Sequence, residues 1–296
     1  MTSSRSISQW QCIQKNIGEW HGAFVQFSPT GQQVKVTPSV LTLKESEPGK
    51  TMVLTLERTT PAGETDITRQ TFYYPGPAPY VLFFESGAFA QGTPQWSAFG
   101  RFGAEMSLKV GDKRVRYVVM YEATQQYTSQ LKYVTLISEI QKQGTTDGTA
   151  FAADALTIAQ LLGDSAGCSS VIRATEPLTT APTITGTSQW TLSAEGALTC
   201  KEVVGDREQS LTLVTDGPPT SDPVISFHGA TEADLTYQLM LLPKGGYCLL
   251  PTEIRKEKSF RIEVGWRSPA GDRTRLVRYY DDRGVWMESA LIKDQI

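Results

Sequence analysis

The sequence has very little histidine and cysteine for its length. Among 296 residues there are two histidines and four cysteines, and no Cys-x-x-Cys pair occurs. Structural zinc sites need closely spaced Cys and His ligands, and disulfide-stabilised secreted domains need a dense set of cysteines, so the composition argues against both classes. Histidine chemistry is limited to His21 and His228. We therefore expect no metal site and no cofactor.

Long apolar runs and an excess of positive charge are also missing. No stretch approaches the roughly 18 apolar residues of a spanning helix, and the first residues lack the apolar segment of about 7–15 residues that a secretory signal needs. The formal net charge is −3, which leaves no broad basic surface for nucleic acid. We expect a cytoplasmic protein with no nucleic-acid partner and no integral membrane span, and its oligomeric state stays open.

The last third of the chain repeats the first third. The matches keep an offset of about 158 positions, far above the period of about 20–50 residues in repeat arrays. The matched patterns are Phe102-x-x-Glu105-Met106 with Phe260-x-x-Glu263-Val264, and Arg114-x-Arg116-x-Val118 with Arg273-x-Arg275-x-Val277. The spacing predicts two similar domains, residues 1–145 and 146–296, joined by a linker rich in Gly and Thr at Gln143–Gly148.

Short runs of β-branched and aromatic residues between turn signals predict an all-β fold. The first half has eight candidate strands, near 19–28, 33–43, 51–58, 67–74, 80–85, 101–109, 114–121 and 131–140, and the second half has a comparable set. Eight antiparallel strands can close a barrel that holds one small ligand. A helical pattern precedes each set of strands, at Trp10–Ile17 after Ser8 and at Asp154–Leu162.

Several motifs resemble those of a known family. Gly18-Glu19-Trp20 resembles the Gly-x-Trp signature of lipocalin-like, or calycin, barrels. Together with Phe27-Ser28-Pro29-x-Gly31 and Phe83-Phe84-Glu85-x-Gly87-Ala88-Phe89, it resembles a cyanobacterial and plastid-lineage family of tandem lipocalin-like domains of unknown function, distantly similar to bilin lyase-type calycins. The resemblance implies two tandem antiparallel barrels, each preceded by a short helix. Ser165 stands where the pattern places a second tryptophan.

Strand alternation divides the candidate residues into two faces. If Trp20 points into the first barrel, His21 points out of it. Arg114 and Arg116 share one face of their strand, and Val115, Tyr117, Val119 and Tyr121 share the other. The first interpretation is a ladder of Glu–Arg pairs on the outer surface of the barrel. In the alternative, the charged faces line the lumen, where arginine and glutamate bind a carboxylate or an enolate.

If the apolar faces line the lumen, they form the wall of a binding cavity. The candidate ligand-binding residues are Trp20, Phe24, Met106 and Tyr117, with Tyr73 at the barrel mouth. Such a wall suits a flat or elongated hydrophobic molecule. The alternative is that these side chains simply fill the core.

Three functional hypotheses follow. The first is a cofactor-free cyclase, isomerase or condensation enzyme of pigment or secondary metabolism, with Tyr121, Glu105, His21 and Arg116 as candidate catalytic residues acting on an aromatic or conjugated substrate. The second is a non-catalytic carrier, chaperone or lyase-like handler of a tetrapyrrole or carotenoid. The third is an interaction protein whose barrels are filled. No nucleophile elbow, phosphate loop or dinucleotide fingerprint occurs.

Overall fold

The computed structural model describes residues 7–60, 62–76, 78, 80–142, 155–174, 184–204, 207–217, 222–229, 235–268 and 271–295. Within these ranges the chain forms twenty β-strands, one α-helix and two short 3₁₀ helices. The strands build two antiparallel, barrel-like units in tandem, as the sequence predicts. The proposed linker Gln143–Gly148 and the start of the second helical pattern at Asp154 lie outside the described residues.

The first unit is a strongly bent sheet. Its strands are β1 (Gly18–Phe27), β2 (Gln33–Glu47), β3 (Thr51–Thr59), β4 (Thr65–Tyr73), β5 (Leu82–Phe83), β6 (Phe89–Gly92), β7 (Phe102–Val110), β8 (Lys113–Ala123) and β9 (Ser129–Gln141). The order is β4-β3-β2-β1-β9-β8-β7-β6-β5. In the described part of the chain β4 and β5 do not pair, so the expected closed eight-stranded barrel is a half-barrel. Pro75 stands two residues after the end of β4, and a proline has no N–H with which to continue the ladder.

The second unit is a closed barrel. Its strands are β10 (Gly163–Arg173), β11 (Ile184–Leu192), β12 (Leu198–Val204), β13 (Arg207–Val214), β14 (Val224–Gly229), β15 (Tyr237–Leu242), β16 (Gly246–Pro251), β18 (Phe260–Arg267), β19 (Arg273–Tyr280) and β20 (Trp286–Gln295). Pairing of β10 with β20 closes the ring. The short strand β17 (Glu253–Ile254) leaves this barrel and pairs with β9 of the first unit. The two units are therefore joined by backbone hydrogen bonding as well as by side chains.

A short helix precedes each unit. Helix α1 (Gln9–Gln14) begins at Ser8, whose side chain and that of Gln11 form a capping box. Its buried face includes Trp10 and Ile13, which pack with Trp20, Met52 and other apolar side chains at one end of the half-barrel. Before the second unit, the predicted helical pattern is reduced to a 3₁₀ helix at Ile158–Gln160.

Aromatic side chains form a core between the two units. Phe102 on β7 packs edge-on against Phe260 and Tyr280 of the second barrel, with ring centroids 5.5 and 5.1 Å away. On β8, the Tyr117 hydroxyl donates to the carbonyl of Gly265, and the Tyr121 hydroxyl donates to that of Pro251, each at 2.7 Å. The apolar face of β7 and β8 is thus the outer face of the half-barrel, buried against its neighbour.

This packing corrects the predicted cavity wall. Met106, Tyr117 and Tyr121 are fully buried at the junction of the two units. Trp20 and Phe24 instead lie on the inner face of the half-barrel, beside the arginines of β8. The five aromatic and methionine side chains do not share a cavity, because the sheet separates them into two layers.

Candidate functional site

The inner face of the half-barrel carries a buried network of charges. Arg116 on β8 donates from Nε and Nη2 to the two carboxylate oxygens of Glu139 on β9, each at 2.9 Å. Arg114 Nε donates to the same carboxylate at 2.8 Å, and Arg116 Nη1 donates to Glu105 Oε1 on β7 at 2.7 Å. Strand alternation places both arginines on this face, and the register puts Arg114 opposite Glu139.

Trp20 and Asn16 contact Arg114 of this network. The guanidinium of Arg114 lies 4.2 Å from the centre of the Trp20 ring, a cation–π distance. Arg114 Nη1 also donates to Asn16 Oδ1 at 3.1 Å, and Trp20 Nε1 donates to the Asn16 carbonyl at 2.9 Å. The tryptophan of the Gly-x-Trp motif therefore forms the platform of a buried ion-pair cluster.

Electrostatics keep the network ionised. Burial by itself raises the pKa of Glu139, but the charges of Arg114 and Arg116 outweigh it and hold that pKa below its ordinary value. Burial lowers the pKa of Arg116, and Glu139 with Glu105 more than restores it. Two arginines thus face two carboxylates, and the group carries no net charge at neutral pH.

The second barrel contains an equivalent network. Arg275 donates from Nε and Nη2 to Asp294 at 2.8 and 3.1 Å, and Arg273 Nε donates to Asp294 at 2.7 Å. Arg261 pairs with Glu263 at 2.9 Å, and both Arg261 and Arg275 pair with Glu202. Burial raises the pKa of Glu202, but the two arginines outweigh it and lower the value to about 2.

The duplicated network corrects the prediction of an outer Glu–Arg ladder. Arg114 and Arg116 are 2% and 6% exposed and face the inside of the half-barrel, as the alternative interpretation places them. Their charge is met by carboxylates of the same chain. The internal repeat of the sequence revealed the arginines and Glu105. It did not reveal their acidic partners on the last strand of each unit, Glu139 and Asp294.

The candidate catalytic residues do not converge. Glu105 and Arg116 form an ion pair on the inner face, whereas Tyr121 lies on the opposite face, at the junction. Burial, with smaller contributions from Tyr237 and Cys248, raises the pKa of Tyr121 well above its ordinary value. His21 lies half-exposed on the outer surface, where Nε2 is 2.7 Å from Glu19 Oε1. His21 thus lies on the face of β1 opposite to Trp20, as strand alternation requires.

Two grooves lie along the inner face of the half-barrel. The first has a volume of about 250 Å³, and the second about 520 Å³. Their linings adjoin across β8 and β9, because Val118 pairs with Thr135 and Met120 with Tyr133. We call the two grooves together the inner trough. Phe24 lines the first groove and Glu105 the second, whereas Tyr73 lies exposed at the end of β4.

A third groove opens between the two units. It has a volume of about 1030 Å³, and we call it the junction groove. It is lined by Gln95, Trp96, Ser97, Ala98, Phe99, Gln126, Tyr127, Thr128, Arg255, Lys256 and Arg283. Sequence reasoning missed this surface because its lining comes from loops of both units.

Two further properties of the described residues restrict the chemistry. No group of three or more His, Cys, Asp or Glu side chains in these ranges is arranged to hold a metal ion. Across the same ranges, no helix has the length and apolar character needed to cross a membrane.

The models of two protein families match the two halves of the chain. Residues 6–144 match the model of the N-terminal domain of DUF3598, a family of unknown function. Residues 153–296 match the C-terminal domain of biogenesis factor required for ATP synthase 1. No curated protein sequence matches the chain.

Solved structures extend this comparison. The crystal structure of a DUF3598 protein of unknown function from Nostoc punctiforme is 27% identical, with a TM-score of 0.83 over 98% of this chain and 99% of that one. A putative AttH from Nitrosomonas europaea is 10% identical, with a TM-score of 0.20 over 99% and 98% of the two chains. The chain is therefore similar along its whole length to a DUF3598 protein, and its second half is similar to the C-terminal domain of an ATP synthase biogenesis factor.

Proposed function

We propose that this protein is a non-catalytic binding protein that holds a protein partner on its outer surface. The observation that carries the proposal is that side chains of the chain itself pair or pack with the residues expected to bind a ligand. Carboxylates of the chain neutralise the arginines inside both units, and the aromatic side chains expected to wall a cavity bind the units to each other. Interiors whose charges are paired within the chain, and aromatic side chains that are used for packing, favour recognition at the surface.

The proposed partner is a component of the ATP synthase. Support comes from the match of residues 153–296 to a domain of a factor that is required for that enzyme's biogenesis. This role corresponds to the interaction-protein hypothesis. It ranks above a cyclase or isomerase here because Tyr121 and His21 lie on the other side of the sheet from Glu105 and Arg116.

Binding to isolated ATP synthase subunits tests the proposal. The full chain would be mixed with each purified soluble subunit from the same organism, and complex formation followed by sedimentation velocity. We expect a saturable complex with at least one subunit, and a lower level of assembled ATP synthase in cells that lack the protein. If no subunit binds and the level of assembled enzyme is unchanged, the proposal is wrong.

A small-molecule ligand in the inner trough is the second candidate function. The observation that favours it is the size and chemistry of the trough. Its larger groove falls within the range of about 300–1000 Å³ typical of ligand sites, and Met120 lines it together with the partly exposed carboxylate of Glu105. Phe24 and Tyr133 line the smaller groove. Such a site would accept a hydrophobic or conjugated molecule, as a carrier or as an enzyme of pigment or secondary metabolism.

Native mass spectrometry and an absorbance spectrum of protein purified from a pigment-producing host test this second function. A stoichiometric bound mass with visible absorbance, lost in the variant Met120→Trp that fills the trough, supports a carrier. Chemical conversion of an added unsaturated substrate, lost in the same variant, supports an enzyme. A colourless, empty protein that converts nothing refutes both.

A further inference from the structure

We infer that the junction groove docks an acidic segment of a protein partner, with a large apolar side chain of that segment seated against Phe99 and Tyr127. The inference rests on the proposed function, because it names the surface on which the partner is held.

The floor of the groove is preformed. The backbone N–H of Trp96 donates to the Gly284 carbonyl, and that of Trp286 donates to the Pro94 carbonyl, both at 2.8 Å. The indole N–H of Trp96 donates to Ser129 Oγ at 2.9 Å. These bonds connect the loop before β7 to the second barrel and to β9. A partner therefore meets a surface that needs little ordering on binding, which lowers the entropic cost of association.

An exposed aromatic pair stands above this floor. Phe99 is 81% exposed and Tyr127 64% exposed, and their rings pack edge-to-face with centroids 5.5 Å apart. Tyr127 has a φ of 58°, in the left-handed region that non-glycine residues seldom adopt. Large apolar side chains that remain in water beside a concave surface are typical of the central anchors of protein interfaces.

The charged side chains that line the groove are cationic, and one of them, Lys256, lies 3.8 Å from Glu257, which is outside the lining. Arg255, Lys256 and Arg283 line the groove, and no aspartate or glutamate is among its lining residues. This sign is opposite to the net charge of −3 of the whole chain. Complementary charge steers and orients a binding partner, so the groove favours a segment rich in carboxylates.

The shape of the surface distinguishes a protein segment from a membrane. Membrane-binding patches combine about 4–8 Lys and Arg residues on a surface that can approach the headgroups. Here three basic residues line a concave groove of about 1030 Å³, which admits an extended chain. We therefore assign the groove to a peptide segment.

Fluorescence anisotropy with defined peptides tests the inference. The probe is a labelled twelve-residue peptide of glutamate and serine with one central tryptophan, compared with a lysine version and with a version that has serine in place of tryptophan. We expect the full-length protein to bind the first peptide more tightly than either of the others. Both Phe99→Ser and the double variant Lys256→Glu/Arg283→Glu should weaken that binding about tenfold or more.

Matched variants on another surface are the controls. Tyr73→Ser removes a similarly exposed aromatic, and Lys44→Glu/Lys50→Glu reverses two exposed charges away from the groove. Circular dichroism would check that every variant is folded. Equal binding by groove and control variants, or no preference of the wild-type protein for the acidic tryptophan peptide, overturns the inference. Tighter binding to anionic vesicles than to the acidic tryptophan peptide, or self-association of the protein through the groove, also overturns the inference.

The same variants separate this inference from the proposed function. If an ATP synthase subunit binds the wild-type protein and the groove variants equally, the docking surface is wrong and the proposed function stands. If no subunit binds, the proposed function fails, and the peptide measurement still decides whether the groove takes acidic segments.

Discussion

Replacing Glu139 by glutamine tests the role of the buried ion pairs most directly. The carboxylate of Glu139 is fully buried and accepts three hydrogen bonds from Arg114 and Arg116. Glutamine has nearly the same size but carries no charge, and its NH₂ group is a donor facing two donors. Arg116 keeps Glu105 as a partner, whereas Arg114 keeps only Asn16 and the Trp20 ring.

The expected cost follows from this uncompensated charge. Removing one partner of a buried ion pair destabilises a protein by about 3–5 kcal/mol. We expect Glu139→Gln to lower the free energy of unfolding by that amount, measured from urea unfolding curves at neutral pH. Arg114→Met in the Glu139→Gln background removes the unpaired cation, so the double variant should lose less than the sum of the two single losses.

A surface pair provides the control. Glu122 and Lys132 are 2.6 Å apart and both about half exposed, so Glu122→Gln should leave the urea midpoint unchanged. A cost for Glu139→Gln below about 1 kcal/mol, or strictly additive effects of Glu139→Gln and Arg114→Met, would show that water or movement of the sheet replaces the lost charge and that the network is not a tight buried cluster.

Three further predictions concern the junction and the second barrel. Phe102→Ala should cost about 3–5 kcal/mol in urea unfolding, since it empties the space against Phe260; a loss below about 1 kcal/mol would mean the units are loosely docked. Tyr121→Phe should cost about 1–3 kcal/mol, because the buried Pro251 carbonyl loses its hydroxyl donor; no change would argue against that bond. For Glu202 the folded pKa of about 2 lies below the ordinary value of 4.5, so its stabilising contribution is complete above about pH 4.5 and is lost as the pH falls toward 2. Urea midpoints from pH 2 to 7 should therefore fall less steeply in Glu202→Gln than in the wild type, and parallel curves would refute this assignment.

Local sequence patterns predicted the elements well and the faces less well. The alternation along β1 predicted that His21 lies on the opposite face from Trp20, and in the structure Trp20 is inside and His21 outside, because this strand is regular where it carries them. On β8 the first interpretation put the apolar face inside and the arginines outside, and only the alternative put the arginines inside. The first interpretation assumes one unit surrounded by water, whereas here a second unit covers the apolar face.

The residues that complete the site depend on long-range pairing. Glu139 meets Arg114 and Arg116 only through the register of β8 with β9, and Asp294 meets Arg273 through that of β19 with β20. Sequence repeats revealed the arginines because they recur as a local pattern. The junction groove gave no comparable signal, since its aromatic and basic residues come from four separate loops.

Synthesis order gives the junction a consequence for folding in the cell. The carbonyl that accepts the hydrogen bond of the Tyr117 hydroxyl lies 148 residues further along the chain, and the carbonyl that accepts that of Tyr121 lies 130 residues further. Both carbonyls are therefore synthesised after β8. At about 5–20 residues per second, translation leaves the apolar face of β8 without its partner for roughly 7–30 s. During that interval the nascent first half exposes an apolar, aromatic surface of the kind that makes folding intermediates prone to aggregate.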